Sequence, residues 1–211
     1  MKCIYLFSYF MLFNGFTSVA QTNTFPSDSI KNNSNPIIFA ELLFGYSNGD
    51  TGGWTGGASL NYQFKNNLFT LRTLGFSELR YEGKFIIIPF YTTIAKLEEY
   101  ALMYGKRNID EDSSFSYSAG ISIIKYSELD EPNSIRNNLK YIEQNFIGFP
   151  IECNIKWFKS NKERYRIYGL IPVGKPVAFG NSFGFKAFAN ISKKSFVGIA
   201  LIFGIGYHKN Y

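Results

Sequence analysis

Residues 146–158, FIGFPIECNIKWF, read as two interleaved sequences. Ile147, Phe149, Ile151, Cys153, Ile155 and Trp157 hold the odd positions; Phe146, Gly148, Pro150, Glu152, Asn154 and Lys156 hold the even ones. Successive side chains of a strand point to opposite faces. A strand here therefore has one greasy face and, apart from Phe146, one of small and polar groups, including a carboxylate, an amide and an ammonium. This period of two recurs along the chain, and no 3.6-residue pattern competes over a comparable length.

The other alternating segments are IIFAELLFGY (37–46), GGASLNYQF (56–64), LFTLRTLGF (68–76), EYALMYGKR (99–107), FSYSAGISIIKY (115–126), FGNSFGFKAFANI (179–191) and SFVGIALIFGIGYHKNY (195–211). With the opening stretch these make eight strands, each near the ~9–11 residues of a tilted membrane-crossing strand. Residues 77–95 and 127–144 lose the rhythm and are expected to be long loops. RYRIYGLIPVGKPV (164–177) carries Gly169, Pro172, Gly174 and Pro176, which demote it from a central strand. It hangs on the periplasmic side as an irregular connection, or instead lengthens its neighbours, or adds a strand pair, which would raise the count to ten.

The two faces decide what surrounds the sheet. The less greasy face is mostly Gly, Ser, Asn, Ala and Thr, with Glu41, Glu99 and Glu152 set against Arg72, Lys156 and Lys186. A soluble sandwich points its apolar face inward and keeps a charged face in water; so few charges would leave this one poorly soluble. The interior of an eight-stranded barrel is just wide enough for side chains to fill. The reading is an all-β chain forming a closed, antiparallel, up-and-down transmembrane β-barrel over 37–211, with lipid outside and a lumen plugged by paired charges. Arg72 is the expected hub, because its planar fork can bridge two carboxylates; Lys96 is placed in a solvated loop. The 22 Phe and 15 Tyr suit interfacial girdles. A soluble secreted β-barrel is the competing fold.

The N-terminus supplies a compartment. Met1-Lys2, an apolar run to Phe16 and the small-x-small site Ser18-Val19-Ala20 read as a signal peptide, 1–20, cleaved before Gln21. The polar stretch 21–36 is expected to be a flexible tail. With the N-terminus in the periplasm, the turns at 65–67, 108–114 and 160–163 face inward, and the segments 47–55, 77–95 and 127–144 face outward; the 192–194 turn, though external, is short. After cleavage Cys153 is the single cysteine, so no intramolecular disulfide forms. Net charge is +6, and loss of Lys2 lowers it by one. There is no Lys/Arg run beside a stacking platform, so nucleic acid is not an expected partner.

Candidate chemistry is sparse. His208 is the one histidine, and a nucleophile–histidine site would have to use it; it is expected on the periplasmic rim, with Cys153 facing lipid. Glu41, Glu99 and Glu152 have the chemistry of acid–base groups or hard-cation ligands, but pairing with Arg72, Lys156 and Lys186 is the simpler assignment. SNGDTGGWTGG (47–57) has a phosphate loop's glycines without the Gly-Lys-Ser/Thr that would complete it. No catalytic, cofactor or metal residue is assigned and no enzyme is expected. Trp54, Tyr141 and Phe146 are candidate rim anchors or girdle aromatics.

The leader ending in VAQ, the first strand FAELLFGYS and the closing FANISKKSFVGIALIFGIGY resemble small outer-membrane β-barrel proteins of Bacteroidetes-type bacteria, the eight-stranded OmpA/OmpX-like kind. The resemblance covers most of the chain after the leader. It implies a place in the outer membrane of a Gram-negative bacterium, contact with its lipid and lipopolysaccharide, and a C-terminal strand read by the barrel-assembly machinery. Phe203, Ile205, Tyr207 and Tyr211 have the parity for that signal, although a terminal Phe is missing. Some lipopolysaccharide-remodelling barrels resemble serine hydrolases with a His-x-Ser pairing; Lys209-Asn210 follows His208 here. The expected role is structural or surface interaction through 77–95 and 127–144, with an unknown external partner. A narrow channel or small-ligand carrier is the alternative, and a lipid-modifying enzyme is further off.

Overall fold

In a computed structural model, the structure describes residues 36–85, 88–130, 140–159, 161–167 and 170–209. The signal peptide, the tail up to residue 35 and Tyr211 lie outside the described residues.

The strands are β1 (Ile37–Gly49), β2 (Gly53–Phe64), β3 (Asn67–Phe85), β4 (Ile88–Asp110), β5 (Ser113–Leu129), β6 (Tyr141–Phe158), β7 (Glu163–Ile167), β8 (Ile171–Val177), β9 (Phe179–Ile191) and β10 (Phe196–Tyr207). Eight of them close into one barrel in the order β1-β10-β9-β6-β5-β4-β3-β2, each antiparallel to its neighbours. This is the expected up-and-down barrel, with eight strands rather than ten. The Pro- and Gly-bearing segment forms β7 and β8, which pair only with each other. Pro cannot donate to a ladder, and β8 carries two of them.

The wall is inverted relative to a soluble protein. Leu42, Ile147 and Ile199 point outward and are 66%, 69% and 71% exposed, while Glu41, Arg72, Glu99 and Lys186 point inward and are buried. Lumen glycines make room for the long side chains. A Cβ on Gly184 would come within 2.8 Å of Lys156 Cγ, and one on Gly148 within 2.3 Å of Asn190 Oδ1.

Two segments expected as loops are strand in part. β3 and β4 stay paired from Asn67↔Lys106 to Phe85↔Ile88. β2 accompanies β3 only to Phe76, and β5 meets β4 from Ala95. Residues 77–85 and 88–94 are therefore a two-stranded ribbon rising past the wall, not a loop. Register shifts at Glu78/Leu79 and Tyr81/Gly83 explain why the period of two disappears there, since each bulge exchanges the faces. Likewise β5 and β6 pair out to Leu129↔Tyr141, so 127–129 and 141–144 of the expected loop are strand, while 131–139 lie outside the described residues. Lys96 sits in β4, not in a loop, and pairs with Glu98 on the exposed face at 2.6 Å.

Candidate functional site

The lumen is filled in layers. At its waist the six charges named from the sequence converge from β1, β3, β4, β6 and β9. Arg72 Nη2 donates to Glu99 at 2.7 Å and its Nη1 to Glu152 at 2.8 Å. Lys186 reaches Glu41 and Glu152, each at 3.3 Å, and Lys156 pairs with Glu41. Uncharged donors complete the carboxylates: Ser59 Oγ on Glu41 at 3.0 Å, Asn154 Nδ2 on Glu152 at 3.2 Å, and Asn190 Nδ2 on Glu99. Arg72 Nε and the Oδ1 atoms of Asn154 and Asn190 have no partner, so the network is tight without being saturated.

A fourth buried cation was not singled out from the sequence. Arg107 donates to Gln63 Oε1 at 2.9 Å, Ser114 Oγ at 3.1 Å and the His208 carbonyl at 3.1 Å. Its guanidinium lies over the rings of Phe39 and Phe158, 4.7 and 5.5 Å from their centroids. The signal was present, because Arg107 ends the alternating segment 99–107 and shares the odd parity of Glu99. His208 does not sit on an open rim. It is buried between Phe39 and Phe158, its Nε2 3.0 Å from the Gly180 carbonyl. Together these residues pack inside the rim at which the chain enters and leaves the barrel, called here the terminal rim.

On the other side of the waist, toward the loop rim, the lumen is apolar. Leu43, Leu74, Phe76, Leu97, Ile124, Tyr126, Phe188, Phe196 and Ile202 form one buried cluster. Phe146 packs against it from inside and is neither a girdle residue nor a rim anchor. Beyond this layer Asp50, Glu78, Arg80, Tyr126, Glu128 and Lys194 line a cup of about 590 Å³. Burial opposes the Lys194 ammonium, in the β9–β10 turn, but the Tyr126 hydroxyl, Glu128 and Asp50 outweigh it and hold its pKa above the ordinary lysine value.

The barrel invites comparison with other eight-stranded barrels. The chain is similar in structure to Neisserial surface protein A, with a TM-score of 0.50 and 10% identity over 82% of this chain and 97% of that one. The likeness is one of fold. The N-terminal β-barrel domain of Pseudomonas aeruginosa OprF matches at 0.44 and 11% identity over 82% of this chain and all of that one. The attachment invasion locus protein Ail of Yersinia pestis matches at 0.45 and 9% identity, over 81% and 96%. No family model matches the chain, and no curated protein does.

The outward residues complete the placement. Phe203, Ile205 and Tyr207 project from β10 and are about half exposed. Trp54 stacks on Phe44 at 5.4 Å and meets Tyr46 edge-on at 6.1 Å, an outward aromatic patch near the loop rim. Tyr141 donates its hydroxyl to the Thr93 carbonyl at 3.1 Å, tying β6 to the ribbon. Cys153 is half-buried in the wall and its thiol is free. Among the described residues no group of His, Cys, Asp and Glu is arranged to hold a metal ion.

Proposed function

We propose that this chain is an outer-membrane β-barrel protein with a closed lumen, working as a structural or surface-interaction element through the β3–β4 ribbon and the β5–β6 loop. The membrane reading is supported by the inverted wall: a continuous outward belt of Leu, Ile and aromatics is far larger than the apolar patches soluble monomers expose. The cleaved leader read at 1–20 and the barrel fold agree with it. On this reading outer-membrane lipid and lipopolysaccharide surround the belt, and Phe203, Ile205 and Tyr207 belong to the strand offered to the assembly machinery. The Bacteroidetes-type relationship rests on the VAQ leader end and the closing-strand pattern.

The observation that carries the closed lumen is the bridging of Glu99 and Glu152 by Arg72, with Lys156 and Lys186 on the remaining carboxylate. Charges neutralised at hydrogen-bond distance across the bore leave no continuous path for a hydrated ion, and the apolar layer stands in series with them. The same pairing occupies the carboxylates that acid–base chemistry would need. Planar-bilayer recording tests this. Heat-modifiable, folded protein should insert without sustained openings; steady, ion-selective conductance would replace this reading with a narrow channel.

A further inference from the structure

The β6–β9 connection, residues 159–178, is absorbed by no part of that function. It carries Lys159, Lys162, Arg164, Arg166 and Lys175 against the single acid Glu163. Its hairpin also presents apolar side chains to the surroundings: Leu170 is 80% exposed, Ile171 61% and Val173 45%. Cationic and apolar groups on one small hairpin favour an anionic partner with an apolar interior. The position of the hairpin narrows the choice. Its roots are Trp157-Phe158 at the end of β6 and Phe179 at the start of β9, where Phe179 packs edge-on against Tyr207 at 5.6 Å. Outward aromatics at that height mark the border of the apolar belt, the level at which Trp and Tyr meet headgroups. A headgroup layer therefore already adjoins the hairpin wherever the belt is in a bilayer.

We infer that the β7–β8 hairpin is a docking surface for anionic phospholipid of the leaflet at the terminal rim. Arg164 and Lys175, both exposed, meet the phosphates, and Leu170, Ile171 and Val173 enter the boundary of the acyl region. This rests on the outer-membrane reading above. A cation near an anionic surface contributes a factor on the order of five in binding, so the two together predict a contact that depends strongly on lipid charge and on salt. A soluble acidic protein would match the cations too, but nothing at the roots places one there.

The test uses the full chain in lipid nanodiscs, which leave both rims open to solvent. Ile171→Cys, in a Cys3→Ser and Cys153→Ala background, takes a polarity-sensitive dye, and the neutral quencher acrylamide probes it. Heat-modifiable migration of the sample is checked first; its failure would strike the membrane reading and not this one. In discs containing phosphatidylglycerol the dye should be blue-shifted and several-fold better shielded than in phosphatidylcholine, and 1 M salt should remove the difference. Arg164→Gln with Lys175→Gln should remove it as well, with heat-modifiability unchanged. Equal shielding in both lipids would mean the hairpin packs on the barrel or on any bilayer, and would overturn the proposal. Free quenching in both lipids would overturn it in favour of a soluble partner.

Discussion

The charged waist and the apolar layer beside it occupy one lumen, on inward positions of the barrel strands, yet they are filled by opposite chemistry. The waist holds Glu41, Arg72, Glu99, Glu152, Lys156 and Lys186; a turn of the wall away lie Leu43, Phe76, Leu97, Ile124 and Ile202. Each solves the packing of a narrow bore, but they fail differently. Losing one ion strands its partner in a desolvated space, whereas losing a leucine leaves a hole of defined volume. The waist is also directional: Arg72 can bridge Glu99 and Glu152 only where both reach it, which makes the network a check on strand stagger.

Removing the hub should show the contrast at its greatest. Arg72→Ala leaves Glu99 and Glu152 buried, at a cost on the order of 3–5 kcal/mol. Folding titrations into detergent or lipid measure it, and bilayer recording of the same variant sharpens the reading. Large destabilisation of a silent barrel agrees with a plug; a small loss with changed ion selectivity would point to a wet channel.

Leu97→Ala, in the apolar layer, should cost about 2–4 kcal/mol through its cavity, and it should respond to a neighbouring enlargement as no charge deletion would. Arg107→Met is the intermediate case. Arg107 bonds only to Gln63, Ser114 and a carbonyl and lies between two rings. Its loss strands no carboxylate, so about 1–3 kcal/mol is expected from the acceptors left behind. If Arg107→Met proves as damaging as Arg72→Ala, partner charge is not what distinguishes the waist.

Gly148→Ala pushes a methyl onto the Asn190 amide that caps Glu99, and ~1–3 kcal/mol is expected for overpacking. The smallest effect belongs to Lys96→Ala. Its pairing with Glu98 is on the outer face with the ammonium half exposed, and such pairs contribute up to ~1 kcal/mol. An effect of Lys96→Ala as large as that of Arg72→Ala would show that burial is not what gives the waist its weight.

The alternation in the sequence was enough for the central parts of the eight barrel strands, their faces and the inversion of the wall, because side-chain direction in a strand depends only on parity. It was also enough to put Glu41, Arg72, Glu99, Glu152, Lys156 and Lys186 on one inner surface and to single out Arg72 as the bridging group. Parity includes Arg107 as well, the last residue of the alternating segment 99–107, although it was not among the six charges named. The ribbon that β3 and β4 form beyond Phe76 was hidden by its bulges, where one extra residue reverses the rule the reading depends on.

Only the closed barrel decided which charges meet. Arg72 lies 80 residues from Glu152, and Lys156 lies 115 from Glu41; their pairing follows from strand stagger and curvature, which no local pattern encodes. The same holds for His208, drawn inside between Phe39 and Phe158 when β10 closes on β1, and for the β7–β8 hairpin, whose strands pair with each other outside the ring of eight. Parity is a property of neighbours along the chain, while pairing across a bore is a property of the closed ring, and this protein's lumen depends on both.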